Sequence, residues 1–166
     1  MKDLDWPYNL PIWQRSLNLT SPDGKIWAKI ENAVEVSMGN PTVGTLMTSN
    51  GLQVGYCNPS FIWSDDSVYL AVPQYSYSRF WGVGKQRLLV IEIGTNMKWQ
   101  SPKLAHYIQP ESFERGEISI VMNPFKKPTM TKYDINTIRR TFEASPMLPN
   151  KRMQSDQQTA ARFVDR

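Results

Sequence analysis

Two stretches, Leu17–Ile30 (LNLTSPDGKIWAKI) and Pro59–Val72 (PSFIWSDDSVYLAV), share one layout: a β-prone run, a tight turn, then a second run. Laying Ser21–Ala28 over Ser64–Ala71 sets an offset of 43 residues (64 − 21). The same offset carries Thr45–Ser49 (TLMTS) onto Leu88–Glu92 (LLVIE). Periods of about 40–45 residues suit a four-stranded propeller blade. The turn chemistry agrees. Pro22 presets φ, Asp23 can bond its own backbone, and Gly24 accepts a positive φ. Asp65-Asp66-Ser67 is a weaker version of the same turn. Asn50-Gly51 between two β-prone runs is a hairpin signal. After Lys85 comes QRLLVIEIG, a β-branched and leucine run fit for a well-buried strand.

These features predict a mainly β chain with little helix. Two blade-like antiparallel meanders, about 17–58 and 59–100, would form a sandwich or a curved sheet. Two units cannot close a propeller, which needs about 4–8 blades. Gly116–Pro124 reads as a further strand, followed by a turn at Phe125–Pro128. Thr129, Thr131, Tyr133, Ile135 and Thr137 alternate with more polar partners, so a returning strand is preferred and the hairpin spans 116–137. A short helix from Asp134 is the competing reading, because Ile135, Ile138 and Phe142 have helical spacing. From Ser145 the chain turns polar. One β-rich domain over 1–144 and a polar tail over 145–166 are expected.

Ile62–Asp66 (IWSDD), Tyr69-Leu70-Ala71 and Leu89–Ile93 (LVIEI) resemble blades of TolB-like and prolyl-oligopeptidase-like proteins. There a strand ending in WSPDG turns into one such as LAY, and a later strand reads LYVVDL. The resemblance covers roughly Leu17–Gly94 and implies blade-type packing. The tail Asn150–Arg162 (NKRMQSDQQTAAR) resembles the translated read-through of the recombination site that ends a mobile integron gene cassette. That resemblance implies a bacterial, mobile gene and a dispensable tail. It implies no activity.

At 166 residues, 40% hydrophobic and 20% charged, the chain suits one globular domain. Its net charge is +4, half of it contributed by the last eighteen residues. No concentrated basic stripe is visible, so nucleic acid is not the expected partner. Cys57 is the single cysteine, which excludes an intramolecular disulfide. The amino terminus has no secretory-type apolar run, and no eighteen apolar residues follow one another. A soluble, cytoplasmic protein away from the membrane is expected.

The segment Gln74–Gly84 (QYSYSRFWGVG) is long for a hairpin connection. If extended, it points Tyr75, Tyr77, Arg79 and Trp81 to one side, and Gly82 and Gly84 let it bend. Tyr, Trp and Arg are the residue types enriched in binding hot spots. The same rings would equally serve as core-edge packing. His106 is the single histidine and has no nucleophile motif beside it. Cys57 reads as a small buried hydrophobe. Glu111, Glu114 and Glu117 form an acidic cluster near Arg115, by default a solvated face. Asp65 and Asp66 lack calcium-loop spacing. Lys126-Lys127 and Arg139-Arg140 are scattered cation pairs. No cofactor or metal is expected.

The reading is therefore a non-enzymatic binding or interaction module for a protein partner or small ligand, centred on Tyr75–Trp81. An antitoxin- or immunity-like role is one form of it. The alternatives are a small hydrolase using His106 or the Glu111–Glu117 cluster, and a single-stranded nucleic-acid binder. Sheet edges left by two meanders would suit a homodimer.

Overall fold

The turn at Ser21 is closed by its own side chains. In a computed structural model, which describes residues 18–35, 42–76, 84–124 and 127–143 (side chains of 18 and 141–143 excepted), Ser21 Oγ donates to Asp23 Oδ1 at 2.6 Å and accepts from Ile26 N at 3.1 Å. Asp23 Oδ1 also accepts from Lys25 N at 3.2 Å, and Gly24 N donates to the Ser21 carbonyl at 2.8 Å. The second turn repeats each bond. Ser64 Oγ donates to Asp66 Oδ1 at 2.6 Å and accepts from Tyr69 N at 2.8 Å, while Asp66 Oδ1 accepts from Val68 N at 3.0 Å. Ser67 N donates to the Ser64 carbonyl at 3.0 Å. The left-handed position falls on Gly24 (φ 74°) in the first turn and on Ser67 (φ 63°) in the second. Serine tolerates that φ less well than glycine, but its hydroxyl here accepts from Asp23 N at 3.0 Å and ties the two turns together.

Each turn joins the first two strands of a four-stranded antiparallel unit. The first contains β1 (Asn18–Thr20), β2 (Trp27–Glu35), β3 (Thr42–Thr48) and β4 (Gln53–Cys57). The second contains β5 (Ile62–Trp63), β6 (Tyr69–Ser76), β7 (Lys85–Glu92) and β8 (Met97–Gln100). They merge into one eight-stranded sheet, β1-β2-β3-β4-β6-β7-β8 with β5 on β6, curled into a half-barrel. The units meet edge to edge at a single registered pair, Cys57 opposite Gln74. A second sheet follows, β11-β10-β9, from β9 (Ile108–Glu114), β10 (Glu117–Met122) and β11 (Thr129–Asp134), and helix α1 (Ile135–Glu143) closes the described chain.

One detail of the repeat is corrected by the pairing. Thr48 lies opposite Ala28, and Val90 lies opposite Ala71. The first and second strands of each unit therefore correspond at 43 residues, but the third strands correspond at 42 (90 − 48). A one-residue slip in a strand exchanges its two faces. With the 42-residue correspondence the faces agree: Ala28, Ile30 and Leu46 are equivalent to Ala71, Pro73 and Leu88.

That equivalence explains the packing. Unit one turns Ala28, Ile30 and Leu46 towards Leu70, Val72, Leu89 and Ile91 of unit two, in one core. Unit two turns the equivalent face, with Ala71, Leu88, Val90 and Trp99, towards Phe113, Ile118, Ile120 and Ile138 of the second sheet and helix, in another. Each layer offers the same face to the next. Strand β7 lies between both cores, and Leu88, Leu89, Val90 and Ile91 are all buried, as its unbroken apolar run predicts.

The preferred strand through Thr137 is also corrected. Pairing with β10 ends at Asp134, whose Oδ1 accepts from Asn136 N at 2.8 Å and Thr137 N at 3.1 Å. A carboxylate in that position caps a helix start. Ile135 and Ile138 then reach the core with helical spacing. Arg139 anchors the helix: its guanidinium lies 4.5 Å from the Trp99 ring centroid, and Nη2 donates to Glu92 Oε1 at 3.1 Å.

Candidate functional site

Of the aromatic loop, Tyr75 is described, and it is buried on β6 opposite Gln86. Its phenol oxygen lies 1.4 Å from where a Cβ on Gly84 would stand. Gly84 is thus needed for the close approach of the ring. Tyr77, Arg79, Trp81 and Gly82 lie outside the described residues. The strands that carry the loop are well defined, with continuous pairing from Tyr69–Glu92 to Ser76–Lys85.

The residues considered for chemistry are dispersed. His106 is exposed, and its backbone N–H donates to Asn123 Oδ1 at 3.1 Å. Cys57 is buried, and loss of solvation pushes its thiol up to about 12, so the nucleophilic thiolate is suppressed. Glu117 pairs with Lys132 at 2.6 Å and stands opposite Glu114, while Glu111 accepts from the Gln109 amide. All three glutamates are exposed. Asp66 closes its own turn, and Asp65 Oδ2 accepts from Arg115 N at 3.1 Å. Lys127 and Arg140 are exposed, Lys126 lies outside the described residues, and Arg139 is the helix anchor. Among the described residues no three His, Cys, Asp or Glu side chains gather as a metal site would need.

The structure brings together a different set, at the end of the sheet where β4 meets β6. Leu46 pairs with Val54 and Gly44 with Cys57, which leaves an extra residue in β4. Tyr56 takes up that bulge at φ 60° and is 69% exposed. A bulky side chain in the left-handed region is an outlier, costing roughly 1–2 kcal/mol. Beside it runs a polar row on the face that carries Leu70, Val72, Leu89 and Ile91. Gln74 Nε2 donates to the Gly55 carbonyl at 3.2 Å, and Gln100 Nε2 donates to Gln74 Oε1 at 2.8 Å. Arg87 is the registered partner of Gln74 and is half-buried. Its Nη1 reaches the Ser101 carbonyl only at 3.5 Å. Lys98, on the same face of β8, is exposed and close enough to Cys57 to act electrostatically on its thiol.

On the opposite face, buried Gln86 Oε1 accepts from Ile108 N at 2.7 Å, fixing the start of the second sheet beneath the hairpin. Its Nε2 has no partner among the described residues. Sequence reasoning missed Tyr56 and the row beside it. VGYC reads as an ordinary strand end, and a bulge is a property of pairing, which no local pattern displays.

Comparison with protein families, with curated proteins and with solved structures gives no match.

Proposed function

We propose that this chain is a non-enzymatic binding module that engages a protein partner at the β4–β6–β7 end of its curled sheet. The observation that carries the reading is Tyr56. Folding holds this ring in solvent, in a strained backbone conformation, where an ordinary strand residue would cost nothing. Such strain clusters at sites of function, and exposed tyrosines are common anchors of interfaces. The polar row beside Tyr56 lies partly on β6 and β7, the strands that flank Tyr77, Arg79 and Trp81 in sequence. The cassette-like tail supports an antitoxin- or immunity-like form of this role, in which the partner is a toxin. Nothing in the geometry favours the hydrolase reading over it, since His106 and the glutamates occupy separate, solvated positions.

The test is affinity capture with the full chain as bait, beside Tyr56→Ala and a Tyr77→Ala, Arg79→Ala, Trp81→Ala variant, each verified as folded by circular dichroism. A protein retained by the wild type and lost by both variants supports the module and its surface. Equal recovery by all three baits would remove the surface. Recovery by none would remove the protein-partner reading.

A further inference from the structure

We infer that Arg87, Gln74 and Gln100, with Lys98 beside them, form a carboxylate subsite that receives an acidic side chain of the protein partner. The inference rests on the proposed binding role and adds the chemistry of what is bound.

Comparison of the two units carries it. Gln74 and Arg87 are the equivalents of Glu31 and Thr45 in unit one, through the registers Glu31–Thr45 and Gln74–Arg87. In unit one this position is internally neutralised, because Glu31 pairs with Lys29. In unit two the acid is replaced by Gln74 and the lysine by Val72, while a cation, Arg87, stands where unit one has threonine. The same place in the fold has changed from a closed ion pair to an open positive charge. Among the described residues, ion pairs join Lys25 to Asp23, Lys29 to Glu31, Lys132 to Glu117 and Arg139 to Glu92, and none reaches Arg87 or Lys98.

The donors are also held in place. A guanidinium offers five N–H donors in a planar fork that fits a carboxylate in two-pronged fashion. Arg87 commits one of them to the distant Ser101 carbonyl. The amide chain from Gln100 through Gln74 to Gly55 orients both glutamines on the face that carries Arg87. Half-burial of Arg87, Gln74 and Gln100 reduces solvent screening at the site. Lys98 adds a second charge on the same face.

The probe is a short peptide of alternating Glu and Ser, titrated into the isotope-labelled full chain. The readouts are the Arg87 Nε–H and the Gln74 and Gln100 side-chain amide signals. Saturable shifts are expected that weaken steeply with added salt. The same peptide with Gln in place of Glu should leave the signals still. Arg87→Gln should weaken binding by about tenfold and Lys98→Gln by about threefold, within the range for partly exposed charge pairs. Arg87→Lys keeps the charge but loses the fork, and should recover only part of the affinity. It also serves as the test variant if Arg87→Gln lowers the thermal midpoint.

No shift with the acidic peptide, equal shifts with the Gln peptide, or undiminished binding by Arg87→Gln would each overturn the subsite. So would a single-stranded oligonucleotide that moves the same signals at lower concentration, because phosphate would then be the preferred group. If affinity capture depends on Tyr56 but is indifferent to Arg87→Gln, the subsite falls and the module stands. If the peptide binds as described but no partner is captured, the subsite's chemistry stands and the module reading falls.

Discussion

Unit one and unit two share the same four-bonded turn and end in different circumstances. Among the described residues, unit one is covered on one face, and Trp27 and Val34 stand 37% and 58% exposed. Unit two is covered on both, and four consecutive β7 residues are buried. The difference teaches that a local turn specifies a hairpin, whereas the layers around it decide which side chains the strands carry. Leu89 and Met47 occupy equivalent positions, Leu89 against a core and Met47 half-buried on an outer face.

The sharpest way to break the comparison is to truncate that pair. Leu89→Ala should cost about 3 kcal/mol, typical of a buried leucine, and Met47→Ala about 1 kcal/mol. Urea unfolding measures both, and similar losses would mean that unit one's outer face is covered after all. Next come the turn serines. Ser64→Ala should cost about 2 kcal/mol and Ser21→Ala about 1 kcal/mol, because each removes a bonded hydroxyl but the second turn is also tied to the second sheet, by Asp65 N to the Phe113 carbonyl at 3.0 Å and Arg115 N to Asp65 Oδ2 at 3.1 Å. A reversed order of thermal midpoints would show that the bonds to the second sheet add nothing to the turn. Smaller still, Tyr56→Gly should stabilise by about 1 kcal/mol, since glycine accepts the left-handed bulge. Destabilisation would mean that the tyrosine ring supports the fold.

The smallest effect is a titration. Hydrogen bonds from Ser21 and the Lys25 backbone, with Lys25 nearby, pull Asp23 down from 3.8 to about 2. The folded state thus prefers the carboxylate. The stabilisation is present above the unfolded value near 4 and is lost as pH falls through about 2. Carboxyl carbon shifts should report a midpoint near 2 in the wild type and one moved back towards 3.8 in Ser21→Ala. An unmoved midpoint would assign the depression to Lys25 alone.

Much of the fold was legible because its signals are local. The Ser-x-Asp turns, Asn50-Gly51 and the β7 run each act over a few residues, and all lie where expected. The end of β11 was harder. Tyr133 suits a strand and Ile135 with Ile138 a helix, and only the cap by Asp134 decides the boundary between them. The one-residue slip between third strands was hidden for a similar reason: strand register is set by partners, while the sequence alignment matched residue types. The polar row was least legible. Gln74, Arg87 and Gln100 are separated along the chain, and register alone unites them.

The stacking of equivalent faces also has a consequence for synthesis. A ribosome releases the chain from the amino terminus, at about 5–20 residues per second. Unit one can dock β7 as soon as unit two emerges, since its own face is already waiting. The cover for the other side of β7 comes from Phe113, Ile118, Ile120 and Ile138, all of which are translated later. For a few seconds the nascent chain shows Leu88, Val90 and Trp99 to solvent, an interval in which chaperones or a neighbouring nascent chain can reach them. Slowing translation between β8 and β10 should therefore lower soluble yield, while leaving the stability of the finished protein unchanged.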